Sequence, residues 1–117
     1  MKWIILISDK PLCLDRIKNI VHDDSIGNYF VDKNRVCVDF GDDHIFYDYV
    51  EKNEIKNDYE LDEWAKIPYD NPHFIMMVYT SDERLKKVLS QQNFLKDIYV
   101  DDDHGQILPI EEFISLM

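Results

Sequence analysis

Positive charge is scarce in this sequence. Only 13 Lys and Arg stand against 24 Asp and Glu, leaving a formal charge of −11 on 117 residues. A deficit of that size argues against nucleic acid and anionic membrane surfaces as partners, and favours steering towards a basic protein or a cation. Glycine is rarer still, at three residues, so no glycine-rich loop cradles a phosphate and no strained elbow presents a nucleophile. Cys13 and Cys37 are too few and too unpatterned for a disulfide framework or a zinc knuckle. Both sit among apolar neighbours and are expected as buried, unpaired thiols. No apolar run approaches the roughly 20 residues of a membrane span. The opening stretch, MKWIILISDK, has no small-residue cleavage site and is interrupted by Asp9, so it reads as a strand, and the expected location is the cytoplasm.

What the chain does have is apolar patterning. Hydrophobic residues make up 45% and aromatics 13%, enough for one globular domain over residues 1–117. Its clearest stretch is His73–Gln92. His73–Tyr79 is an almost unbroken apolar run of strand length, as expected where both faces of a strand are covered. Thr80-Ser81-Asp82-Glu83 is a helix start, and Leu85, Val88, Leu89 and Gln92 follow at helical spacing. Ile98–Val100 then reads as a returning strand. Trp3–Ile7 is a second continuous run, expected beside His73–Tyr79 and parallel to it. The helix that follows it draws an apolar face from Cys13, Leu14, Ile17, Ile20 and Val21, with Pro11 near its first turn.

Between these units the period changes to two. Tyr29–Asp32, Arg35–Phe40 and Ile45–Val50 read as an antiparallel meander. Four-residue turns would set Val31 opposite Val36 and Phe40 opposite Ile45. One face then collects Tyr29, Val31, Val36, Val38, Phe40, Ile45, Tyr47 and Tyr49 as core. The other, partly open, collects Phe30, Asp32, Arg35, Cys37, Asp39, Phe46, Asp48 and Val50. Residues 51–71 are acidic and irregular, with a short helix at Leu61–Lys66; so long a connection is more often functional than idle. Asp101–Gly105 is a turn, and Pro109 opens a last helix through Ile110, Phe113, Ile114 and Met117. The expectation is an α/β (α+β) fold of order β-α-β-β-β-(loop)-β-α-β-α, a mixed sheet with an antiparallel meander beside central parallel strands.

Chemistry-bearing groups are sparse. Asp9, Asp82 and Asp101 follow apolar strands, and three acids converging at strand ends could hold Mg²⁺ as in receiver-like phosphotransfer domains. Capping explains Asp9 and Asp82 at helix starts, the middle strands read as hairpins, and no lysine ends the last strand. The Asp-Asp-His groups at Asp42–His44 and Asp101–His104, and their reverse at His22–Asp24, place adjacent side chains in different directions and read as solvated turns. No catalytic residue, metal ligand or cofactor is assigned.

Acidic residues and aromatics do coincide in two places. Asp39 and Asp48 share the open meander face with Phe30 and Phe46, and Asp58, Glu60, Asp62 and Glu63 surround Trp64. In size, acidity and mixed sheet the chain resembles the immunity proteins of bacterial toxin systems, small antidotes that plug a cognate toxin, often a basic nuclease. That resemblance implies a non-catalytic protein that occludes a basic toxin domain, with these nine residues as its binding surface. Other binding or regulatory modules share the same composition.

Overall fold

The computed structural model describes residues 1–102 and 104–117. Asp103, the middle acid of the expected Asp101–Gly105 turn, lies outside the described residues. Seven strands, β1 Lys2–Ser8, β2 Gly27–Asp32, β3 Arg35–Asp39, β4 His44–Val50, β5 His73–Tyr79, β6 Tyr99–Asp101 and β7 Ile107–Pro109, form one sheet in the order β2-β3-β4-β5-β1-β6-β7. Five helices complete an α+β fold: α1 Leu14–Lys18, α2 Lys52–Asp58, α3 Leu61–Ala65, α4 Asp82–Leu89 and α5 Ile110–Leu116.

β1 and β5 are adjacent at the centre, as their greasy runs require, but they pair antiparallel, with Ile4 opposite Met77 and Leu6 opposite Ile75. The expected parallel pair is corrected by the topology. β1 also pairs antiparallel with β6, so β5 and β6 run the same way with β1 between them, and α4 bridges over that middle strand. A continuous apolar run reports burial of both faces; it carries no information on strand direction. Every neighbouring pair in the sheet is antiparallel.

One face of the sheet holds the main core. The cross-strand row Val36, Tyr47, Met77, Ile4 lies on it, and α1, α4 and α5 cover it through Leu14, Ile17, Leu85, Val88, Leu89 and Ile110. The α4 start is as read: the Ser81 hydroxyl accepts from the Arg84 N–H at 3.1 Å, and Leu85, Val88 and Leu89 are buried. α1 is shorter than its apolar spacing suggested. It ends at Lys18, and Val21 is left 73% exposed, because the chain turns away to reach β2. Cys13 precedes the helix and is exposed, not buried; Cys37 is buried, and both are free thiols.

The meander forms with two adjustments. β3 and β4 pair with Val38 opposite Ile45, two residues from the expected register, which keeps the same side chains on the same face. β2 slips by one: Phe30 lies opposite Val36, and the register breaks between Phe30 and Asp32 in a bulge at Val31. A one-residue slip exchanges faces. Phe30 therefore joins the core side and Tyr29 the other, while Tyr29, Val31 and Tyr49 are all about half exposed instead of core. Two elements went unforeseen, α2 within the acidic segment and the three-residue strand β7, whose Pro109 precedes α5 instead of opening it.

Candidate functional site

The second face of the sheet is covered over only part of its width. The chain from α2 to Pro72 lies across β5, β1, β6 and β7, where Ile5, Ile7, Phe74 and Ile107 pack with Ile55 and Ile67. Trp64 belongs to this roof. Its ring meets Phe74 at 6.1 Å and Tyr59 at 6.3 Å, and the Lys56 ammonium sits 5.5 Å above it. α2 arises because Ile55 and Tyr59, four apart, point to the sheet, while Glu54 and Asp58, also four apart, take the neighbouring side.

Where the roof stops, a cleft of about 540 Å³ opens between α2 and the sheet. Trp3, Ile5 and Met76 supply apolar lining, and Glu54, Asp58, Glu63 and Asp101 bring carboxylates. Asp101 is buried in a row with Ile5 and Met76, and the Tyr59 hydroxyl donates to its carboxylate. Burial first, and that hydrogen bond second, push the Tyr59 hydroxyl far above the ordinary tyrosine range, so it stays protonated as the donor.

Antiparallel register ties this cleft to the meander. Trp3 pairs with Val78, Val78 with Phe46, and Phe46 with Cys37 and so Tyr29; Met76 pairs with Asp48, and Asp48 with Arg35. The two acidic-aromatic regions, remote in sequence, thus share one face. Their components differ in availability. Asp48 accepts two bonds from Arg35, at 2.6 and 2.8 Å, so its charge is compensated within the domain. Phe46 lies under the Arg35 guanidinium at 4.7 Å and stacks with His44 at 6.2 Å. Asp39 accepts from the Gly41 N–H at 2.8 Å, with His44 Nε2 at 3.4 Å. Glu63 accepts from the Glu60 N–H at 3.3 Å, Glu60 and Asp62 are exposed at the start of α3, and Phe30 stands apart on the opposite face. Trp3, Glu54, Tyr59 and Met76 were not foreseen, and Asp101 was read as a strand-end acid and not as part of this face. The helical spacing of Ile55 with Tyr59 was the one available signal, whereas Trp3 and Met76 were hidden inside continuous apolar runs.

The strand-end acids do not converge. Because β1 is antiparallel to β5 and β6, Asp9 follows β1 at the end of the sheet opposite Asp82 and Asp101. Asp82 instead meets the start of β1, accepting from Lys2 Nζ at 2.9 Å. Among the described residues no group of three or more His, Cys, Asp or Glu is arranged to hold a metal ion, and no helix is long and apolar enough to cross a membrane. His22, read as part of a solvated turn, is buried: its Nδ1 meets the Ile20 carbonyl at 2.9 Å and its Nε2 the Tyr47 hydroxyl at 2.6 Å.

Comparison with protein-family models, curated proteins and solved structures finds no significant match.

Proposed function

We propose that this chain is a non-catalytic binding module that neutralises a basic protein by covering its active site, in the manner of an immunity protein against a toxin domain. The observation that carries the reading is the cleft beside α2, with apolar walls from Trp3, Ile5 and Met76 and four carboxylates. That combination suits a lysine or arginine side chain: apolar surface takes its methylene stem, the Trp3 ring face attracts its cation, and carboxylates compensate its charge. Glu54, Asp58 and Glu63 would then stand where a nuclease expects phosphates. The overall charge of −11 adds long-range attraction to such a partner. The roof residue Trp64 contributes by holding α3 on the sheet, and Asp39, Phe46 and Asp48 extend the same face.

The test is co-expression with a basic protein encoded beside this chain, followed by association kinetics on the purified pair. The on-rate is expected to fall steeply as salt rises about tenfold while the off-rate changes less. Asp58→Asn with Glu54→Gln should slow association without unfolding the domain, since both residues are exposed. Salt-insensitive binding, or a double variant that binds and protects as well as the parent, overturns the reading.

A further inference from the structure

The strand β2 forms one margin of the sheet, and among the described residues no strand pairs with its outer side. Its sequence, GNYFVD, carries no proline or lysine to discourage pairing, and Tyr29, Phe30 and Val31 are 51%, 39% and 51% exposed. Ile26, just before it, is 72% exposed. Natural sheets blunt such margins with short strands, charge, proline or bulges. Here the devices are the bulge at Val31 and the charge of Asp32 at the strand's end, which leave the backbone of Gly27–Phe30 regular and confine any added strand to that stretch. Beside it, on the core side, Phe30, Leu12, Leu14 and Tyr49 line a shallow hollow of about 270 Å³, with Lys33 and Asp15 at its mouth.

We propose that Gly27–Phe30 is a docking edge for an extended segment of a basic partner protein, which adds as an eighth strand and places one apolar side chain in the hollow next to Phe30. Recognition of this kind divides the work between main-chain hydrogen bonds and pockets for alternate side chains, and the edge and the hollow supply both. Charge selects the partner over a second copy of this chain. Two copies would bring −11 against −11, and the strand itself ends in the exposed Asp32. The basic character of the segment rests on the neutralising function proposed above; the strand addition itself rests on the edge.

The experiment uses the whole chain and a soluble peptide of roughly eight residues alternating valine and lysine, a length typical of a strand. Amide hydrogen exchange and titration are followed in the parent, in Phe30→Lys, in Tyr29→Lys as a second variant should the first lose its fold, and in Asp58→Asn. Added peptide is expected to protect amides within Gly27–Phe30. The edge variant should bind at least about tenfold more weakly, as for loss of an interface anchor. Protection of the same amides that grows with protein concentration in the absence of peptide would assign the edge to self-pairing and overturn the proposal. Absence of protection there also overturns it. So does binding lost in Asp58→Asn but kept in the edge variant, which would move the peptide to the cleft and leave the neutralising function standing.

Discussion

At one margin of the sheet β7 offers three residues ending in Pro109, beside a face roofed by α2 and α3; at the other β2 offers six residues, three of them exposed apolar side chains. The β7 margin is closed by brevity, by proline and by an overlying layer. The β2 margin is interrupted only near its end, by a bulge at Val31 and the charge of Asp32. A domain carrying −11 can leave one margin open because like charge keeps copies apart, so mutual repulsion takes over part of the protection that edge residues supply elsewhere. The lesson concerns where to look for a partner: the roofed side contributes a cleft with carboxylates, the bare side a strand edge, and the rows Tyr29–Trp3 and Arg35–Ile5 run between them.

The sharpest test of this contrast lies in β5, which borders both halves. Met77→Asp puts an unpaired charge into the main core and should unfold the domain, since a buried unpaired charge costs more than about 4 kcal/mol. Val78→Asp, one residue along on the partly open second face, should leave a cooperative unfolding transition in urea. Equal loss of folding in both would erase the distinction between the faces. On the roofed side, Trp64→Ala should cost about 2 kcal/mol by denaturant titration, below a fully buried tryptophan because the ring is only partly covered. No loss of stability would detach α3 from the roof.

Acid should act on the main core, where His22 is buried against Tyr47. Burial holds the His22 imidazole below its ordinary 6.5, despite the Ile20 carbonyl and Asp23, which favour the charged form. The unfolded chain therefore binds a proton before the folded one does. His22 contributes stability that is fully present above about pH 6.5 and is lost as pH falls towards its folded value. His22→Gln should flatten the pH dependence of stability between about pH 6.5 and 5, a range in which histidine is the side chain that ordinarily titrates. An unchanged slope would relieve His22 of that role. The smallest effect is expected at the Arg35–Asp48 pair, where the arginine is 38% exposed; a double-mutant cycle should return about 1 kcal/mol or less of coupling. A much larger value would mean that the meander face depends on this ion pair more than on its packed row.

Much of the fold was legible because local pattern and burial coincide. The alternation through Val36, Val38, Ile45 and Tyr47 identified one core face and kept it despite a two-residue change of register, since an even shift leaves every side chain on its side. Ser81 and the spacing of Leu85, Val88 and Leu89 identified α4. β2 was less constrained: exposed on both faces, it gains little by choosing one register over its neighbour, and the bulge at Val31 settled the choice against the even count. α2 escaped notice because a single buried residue, Ile55, and a half-buried Tyr59 anchor it.

By itself, then, the sequence determined that this is a strongly acidic α+β domain with two greasy central strands, a three-strand meander and an acidic segment held near the body by aromatics. Those properties follow from composition and from periods of two and 3.6, which each segment expresses alone. Only the tertiary structure decided that the central strands are antiparallel, which separates Asp9 from Asp82 and Asp101, and that Trp3, Met76, Glu54, Asp58 and Asp101 meet at one cleft. The reason is physical: direction and juxtaposition are set by which distant segments bury each other's surfaces, and an apolar run buries equally well against a neighbour running either way.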